Sequence, residues 1–147
     1  LDKDSAEARL IKGEQMKAVL NVGKYLPIIL WLVAIHSFFV GIGLIFMPAS
    51  VMPFFGFEAY AEKFFPVQGG VFHLVMGVAY ALAAKDVERF GGLIILAIAA
   101  KFMAAIFLFT YYISIDKIWM VLLSAISDCL MGIGILLAFL SYSRNKK

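Results

Sequence analysis

The stretch FGGLIILAIAAKFMAAIFLFTYYISI (Phe90–Ile115) decides the fold, because its 26 residues carry a single charge, Lys101. A helix of that length crosses the roughly 30 Å hydrocarbon core of a bilayer, where a continuous helix satisfies its own backbone polar groups. The run shows none of the apolar/polar alternation that a barrel strand requires. Three similar runs flank it: Leu26–Met47, Phe65–Ala84 and Ile118–Tyr142. The first has 22 residues, about 33 Å at about 1.5 Å per residue. The expected fold is all-α, an integral membrane bundle of four transmembrane helices running up and down.

Composition agrees with this. Of 147 residues, 63% are apolar and 16% charged, and the mean hydropathy is +0.94, against roughly 45–50% and about 25% in soluble domains. The single cysteine, Cys129, excludes an internal disulfide framework and any CxxC motif. There is no P-loop, nucleophile elbow, HExxH or dinucleotide fingerprint, so the chain is not expected to be catalytic on its own. The first run is too long for a signal-peptide core and no A-x-A site follows it, so it reads as a retained span.

Orientation follows from the basic residues. The side holding the N-terminus, side A, carries Lys3, Arg9, Lys12, Lys17, Lys24, Lys85, Arg89, Arg144, Lys146 and Lys147, ten of the thirteen Lys and Arg. The opposite side, side B, has only Lys63 and Lys117. By the positive-inside rule both termini are expected in the cytoplasm, in a multi-pass protein of the cytoplasmic (inner) membrane. Beside membrane spans these charges fix topology and meet anionic lipid, and they do not suggest nucleic acid. Residues 1–25 form a polar N-terminal segment with a weak apolar stripe, either an interfacial helix or a tail. The four spans occupy 26–142, and 143–147 is a basic cytoplasmic tail.

Two connections are tight polar turns, Lys85–Arg89 and Asp116–Lys117, which makes helices two, three and four sequential antiparallel neighbours. The first connection, Pro48–Phe64, is longer and aromatic. Its Phe54, Phe55, Phe57, Tyr60 and Phe64 suit the headgroup layer as an aromatic belt, or else a lid or docking surface for other subunits.

The informative residues are those a bilayer should exclude. Lys101 lies 15 residues before Asp116, and Asp128 lies 11 residues after Lys117. Their depths thus differ by about 6 Å, which a lysine side chain can cover. Each has small residues at four-residue spacing, Ala97 and Ala105 for Lys101, Ser124 and Gly132 for Asp128, so both should face the bundle. Pairing them offsets the cost of a lone intramembrane charge, about 2.5–3.5 kcal/mol on insertion scales. The pair either fixes helix register or marks a proton or ligand site.

His73, with Gly69 and Gly77 at the same spacing, should also face inward, with Gln68 near the side-B end of its helix. His36 lies near the middle of helix one between bulky Leu32 and Val40. Two histidines on adjacent antiparallel helices could hold a haem b axially, with the glycines leaving room for the porphyrin, or could contact a quinone. Alternatively they are structural, hydrogen-bonded to Ser37, Gln68 or a carbonyl, with no cofactor at all. A metal site is not expected, since Asp128 and Cys129 point about 100° apart on a helix.

From His36 to Leu140 the pattern resembles the DoxX-like group of small four-helix membrane proteins. The residues that carry the resemblance are GIGLIFMP (Gly41–Pro48), Gly56–Phe57, QGG (Gln68–Gly70), Gly77 and the polar turn after Ala83–Ala84. Where that group often has an acidic residue near the start of helix two, this chain has Gln68. The resemblance implies an up-down bundle associated with quinone-linked redox enzymes. The expected function is that of a small accessory or scaffold subunit of a larger membrane complex, or a homo-oligomer in the lipid bilayer. The alternatives are a redox component binding haem or quinone near His73, Lys101 and Asp128, and a small proton-coupled carrier.

Overall fold

The computed structural model describes residues 22–58 and 62–145. Four long helices account for most of them: α1 (Leu26–Phe46), α2 (Phe64–Lys85), α3 (Gly91–Ser114) and α4 (Trp119–Asn145). Their limits fall within three residues of those expected from the apolar runs. The largest difference is at the end of α4, which continues through Ser143–Asn145 of the expected tail. The N-terminal segment before Val22, Tyr60 and the last two lysines lie outside the described residues.

Local chemistry sets the helix ends. Pro27 sits in the first turn of α1, where its missing N–H costs nothing and its fixed φ suits a helix start. Met47 is extended, with φ −61° and ψ 124°, as expected of a residue preceding a proline. The Glu62 carboxylate accepts from the Phe64 N–H at 3.2 Å and opens α2. Asp86 follows α2 with its Oδ1 accepting from the Arg89 N–H at 3.0 Å, which closes the turn into α3.

All four helices are long and apolar enough to cross a membrane, and at most 28% of the most apolar window of each is buried. Leu32, Phe39, Phe72, Met103, Ile106 and Leu130 stand on the outside. So much outward apolar surface suits lipid and would not suit water. The chain is a multi-pass membrane protein.

The helices form a ring in chain order, as two hairpins, α1–α2 and α3–α4. Within each hairpin the contact is extensive, and between hairpins it is sparse. The α1–α2 hairpin closes on a backbone contact: a Cβ on Gly41 would lie 2.8 Å from the Gly70 carbonyl oxygen, and one on Gly70 would lie 2.7 Å from that of Gly41. Only glycine at both places permits this approach. Gly70→Val should therefore force the hairpin apart at a cost of about 1–3 kcal/mol, read as a lower unfolding temperature in detergent. An unchanged midpoint would mean the crossing is not tight.

The fully buried cluster lies in the side-A half, where Leu26, Leu30, Ala83, Ile94, Ile135 and Ala138 meet. Polar contacts tie this end together. The Gly23 N–H donates to Ser141 Oγ at 3.0 Å, and Tyr142 Oη donates to Glu88 Oε1 at 3.2 Å. The side-B half is looser and is covered by the first connection, which folds into a 3-10 helix, Ala49–Phe55. It turns at Gly56, whose φ of +86° places it in the left-handed region. There it abuts Ile118 and Trp119 at the start of α4.

Candidate functional site

Four polar side chains lie near half depth. His36 is ten residues into α1, His73 nine into α2, Lys101 ten into α3 and Asp128 nine into α4, about 13–15 Å from the starts of helices that alternate in direction. The up-down topology therefore stacks them in one layer.

Lys101 Nζ donates to Asp128 Oδ1 at 2.5 Å, and both side chains are buried. The contact is reached along the lysine stem. A Cβ on Gly132 would lie 3.3 Å from Lys101 Cβ, so the lysine backbone sits level with Gly132, one turn nearer side A than Asp128. The side chain then spans the turn of about 5.4 Å to the carboxylate. Tyr80 stands on the other side, its ring centroid 5.9 Å from Nζ, within cation–π range.

Beside this pair is a cavity of about 510 Å³. His36, His73, Asp128, Ser124 and Ser127 line its inner end, and Lys101 stands behind Asp128, outside the lining. Phe39, Val40, Leu44, Leu108 and Met120 form apolar walls. Met52, Phe55 and Phe57 of the first connection cap it toward side B, and Phe55 is braced by the Trp119 ring at 6.3 Å.

No described residue hydrogen-bonds either imidazole. Ser37 is turned into the core, its Oγ buried with no hydrogen-bond partner among the described residues, and Gln68 is exposed near the start of α2. The structure thus brings together Lys101, Asp128, His36 and His73, and leaves Gln68 apart. Of the aromatic set, Phe55 and Phe57 face the cavity while Phe54 and Phe64 are exposed; Tyr60 lies outside the described residues.

Of the glycines near His73, Gly70 and Gly77 open no slot for a porphyrin between α1 and α2, while Gly69 meets only Leu44 at ordinary contact distance. Gly70 is met by the Gly41 backbone and Ile45, and a Cβ on Gly77 would lie 3.1 Å from the Phe38 ring. Their space is filled by the neighbouring helix. No group of three metal-ligating side chains occurs among the described residues, and Cys129 is a half-buried free thiol.

Beyond the expected residues the cavity is lined by Ser124, expected only as a small neighbour of Asp128, and by Ser127, Met52 and Leu108, which the sequence does not single out. The serines have a signal in sequence, since Ser124 and Ser127 lie four and one residues before Asp128 on α4. Met52 and Leu108 have none, as their neighbours in sequence are equally apolar.

Chemically, the site offers two imidazoles, each able to donate and accept a hydrogen bond, and a carboxylate oriented by a lysine. They stand at the end of an apolar chamber, a pattern typical of small-molecule sites. Compared with known proteins, the chain matches no family model, no curated protein and no solved structure.

Proposed function

We propose that this chain is a quinone-binding accessory subunit of a larger redox assembly in the cytoplasmic membrane. Both termini lie inside, on the positive-inside count of ten basic residues against two. The observation that carries the reading is the pair of imidazoles with no hydrogen-bond partner among the described residues, at the polar end of an apolar cavity. A quinone ring is flat and apolar with two carbonyl acceptors. It suits walls such as Phe39 and Leu108, and donors such as His36 and His73. Lys101 and Asp128 form an ion pair in this reading, in which the lysine holds the carboxylate at the cavity wall. The motifs that resemble the DoxX-like group point to the same chemistry.

The test is quinone binding by the purified chain in lipid nanodiscs. A net hydrogen bond is worth about 0.5–1.5 kcal/mol, so His73→Ala should weaken binding by up to about tenfold. His73→Gln, which keeps a donor, should recover part of it. A parent protein that binds no quinone would overturn the proposal.

A second reading, a scaffold that docks other subunits, draws on Phe54, Phe64 and Phe65, which stand 60–75% exposed near the side-B end. Under that reading, replacing all three with leucine releases the chain from its complex while quinone binding persists.

A further inference from the structure

The seam between α1 and α4 is open along two turns beyond the cavity. A groove of about 380 Å³ continues from it toward side A, walled by Ile29, Leu32 and Val33 on α1 and by Leu130 and Met131 on α4. His36 and Ser127 line both spaces. These α1 residues and the cavity-lining Phe39, Val40 and Gly43 recur at spacings of three and four, so they form one stripe facing α4. The groove is accessible from lipid, since Leu32 is 61% and Leu130 65% exposed. The inner bundle at this level is closed by fully buried Leu30, Ile94 and Ile135.

We infer that the α1–α4 seam is a lateral portal that takes the hydrocarbon tail of the ligand whose head occupies the cavity; this rests on the quinone-site reading above. The physical reason is one of exits. The chamber is capped toward side B by Met52, Phe55 and Phe57, and α1 and α2 are sealed at Gly41 and Gly70. Of the two sparsely packed seams between the hairpins, the α1–α4 seam is the one continuous with the chamber, because His36 and Ser127 line both spaces, so a head lying against His36 and His73 passes its tail there. From Ile29 to His36 is seven residues, about 10.5 Å along the helix, so the groove guides the first part of the tail before it joins bulk lipid. The occupant is thus a membrane lipid with a hydrogen-bonding ring and a single chain, and it reaches the site sideways from the bilayer. Tail burial adds little affinity, because lipid is as apolar as the groove. The groove acts by steric permission.

Two probes test this in nanodiscs, a decyl-substituted benzoquinone and the same ring without its tail, with concentrations counted in the lipid phase. Leu130→Trp, and separately Leu32→Trp, place an indole across the seam from outward-facing positions. The expected result is at least a tenfold loss of the tailed probe in either variant, with the tailless ring binding as in the parent. If both probes bind both variants as they bind the parent, the portal is overturned and the cavity reading stands. If both probes are lost alike, the seam is not a tail channel. If the parent binds neither probe, the quinone site fails and the portal with it.

Discussion

Asp128→Leu should be the most damaging single substitution in this protein. It leaves the Lys101 ammonium buried without its hydrogen-bond acceptor among the described residues, Asp128 Oδ1. Removing one partner of a buried pair costs about 3–5 kcal/mol, a large share of the stability of a small domain. The expected result is a collapse in yield and a sharply lower unfolding temperature in detergent. Lys101→Met/Asp128→Leu should recover most of that loss, because both charges go and similar volumes remain. If the recovered double variant also binds quinone as the parent does, the pair is neither ligand contact nor register device. If it folds but no longer binds, Asp128 acts on the ligand. A single Asp128→Leu protein as stable as the parent would mean the pair does not hold the bundle together.

Val40→Trp should have the largest effect on binding with the least on stability. Val40 lies on the cavity wall, so the added indole occupies the space a ring ligand needs. Filling an empty apolar cavity commonly stabilises a protein by about 0.5–2 kcal/mol. Quinone binding should fall at least a hundredfold while the unfolding temperature holds or rises. Unchanged binding would place the ligand elsewhere and would overturn the functional proposal. The same variant separates the two readings of the protein, because a scaffold that docks through Phe54 and Phe64 would keep its partners.

The cavity is possible because packing strength differs along the bundle. Toward side A, Gly23 docks on the end of α4 and small residues such as Ala83, Ala97 and Ala138 let the hairpins meet. Toward side B, the facing positions on α1 and α4 are bulky or kept apart, and the 3-10 segment Ala49–Phe55 fills the gap only at the top. A dense half holds the geometry of a polar layer at the floor of the open half. Packing of this kind holds the side chains of the polar layer in place.

What the sequence determined by itself was the set of things that depend on length, hydropathy and depth. Four spans, their up-down order and the nearness of Lys101 to Asp128 all follow from counting residues against a rise of about 1.5 Å. The inward direction of the pair was legible because Ala97, Ala105, Ser124 and Gly132 mark a small face. His36 was not legible in that way, because Leu32 and Val40 on either side of it are bulky; that its face borders a cavity emerges from how α1 and α4 pack. The same holds for the space beside Gly70 and Gly77 that the haem alternative would need, which Gly41 and Phe38 fill from α1, and for the capping role of Met52, Phe55 and Phe57. The reason is physical. In lipid, core-facing and outward-facing residues are equally apolar, so the pattern that betrays a buried face in a soluble helix is nearly absent here. Which faces meet is settled by side-chain shape at close range, and that appears only when the helices are assembled.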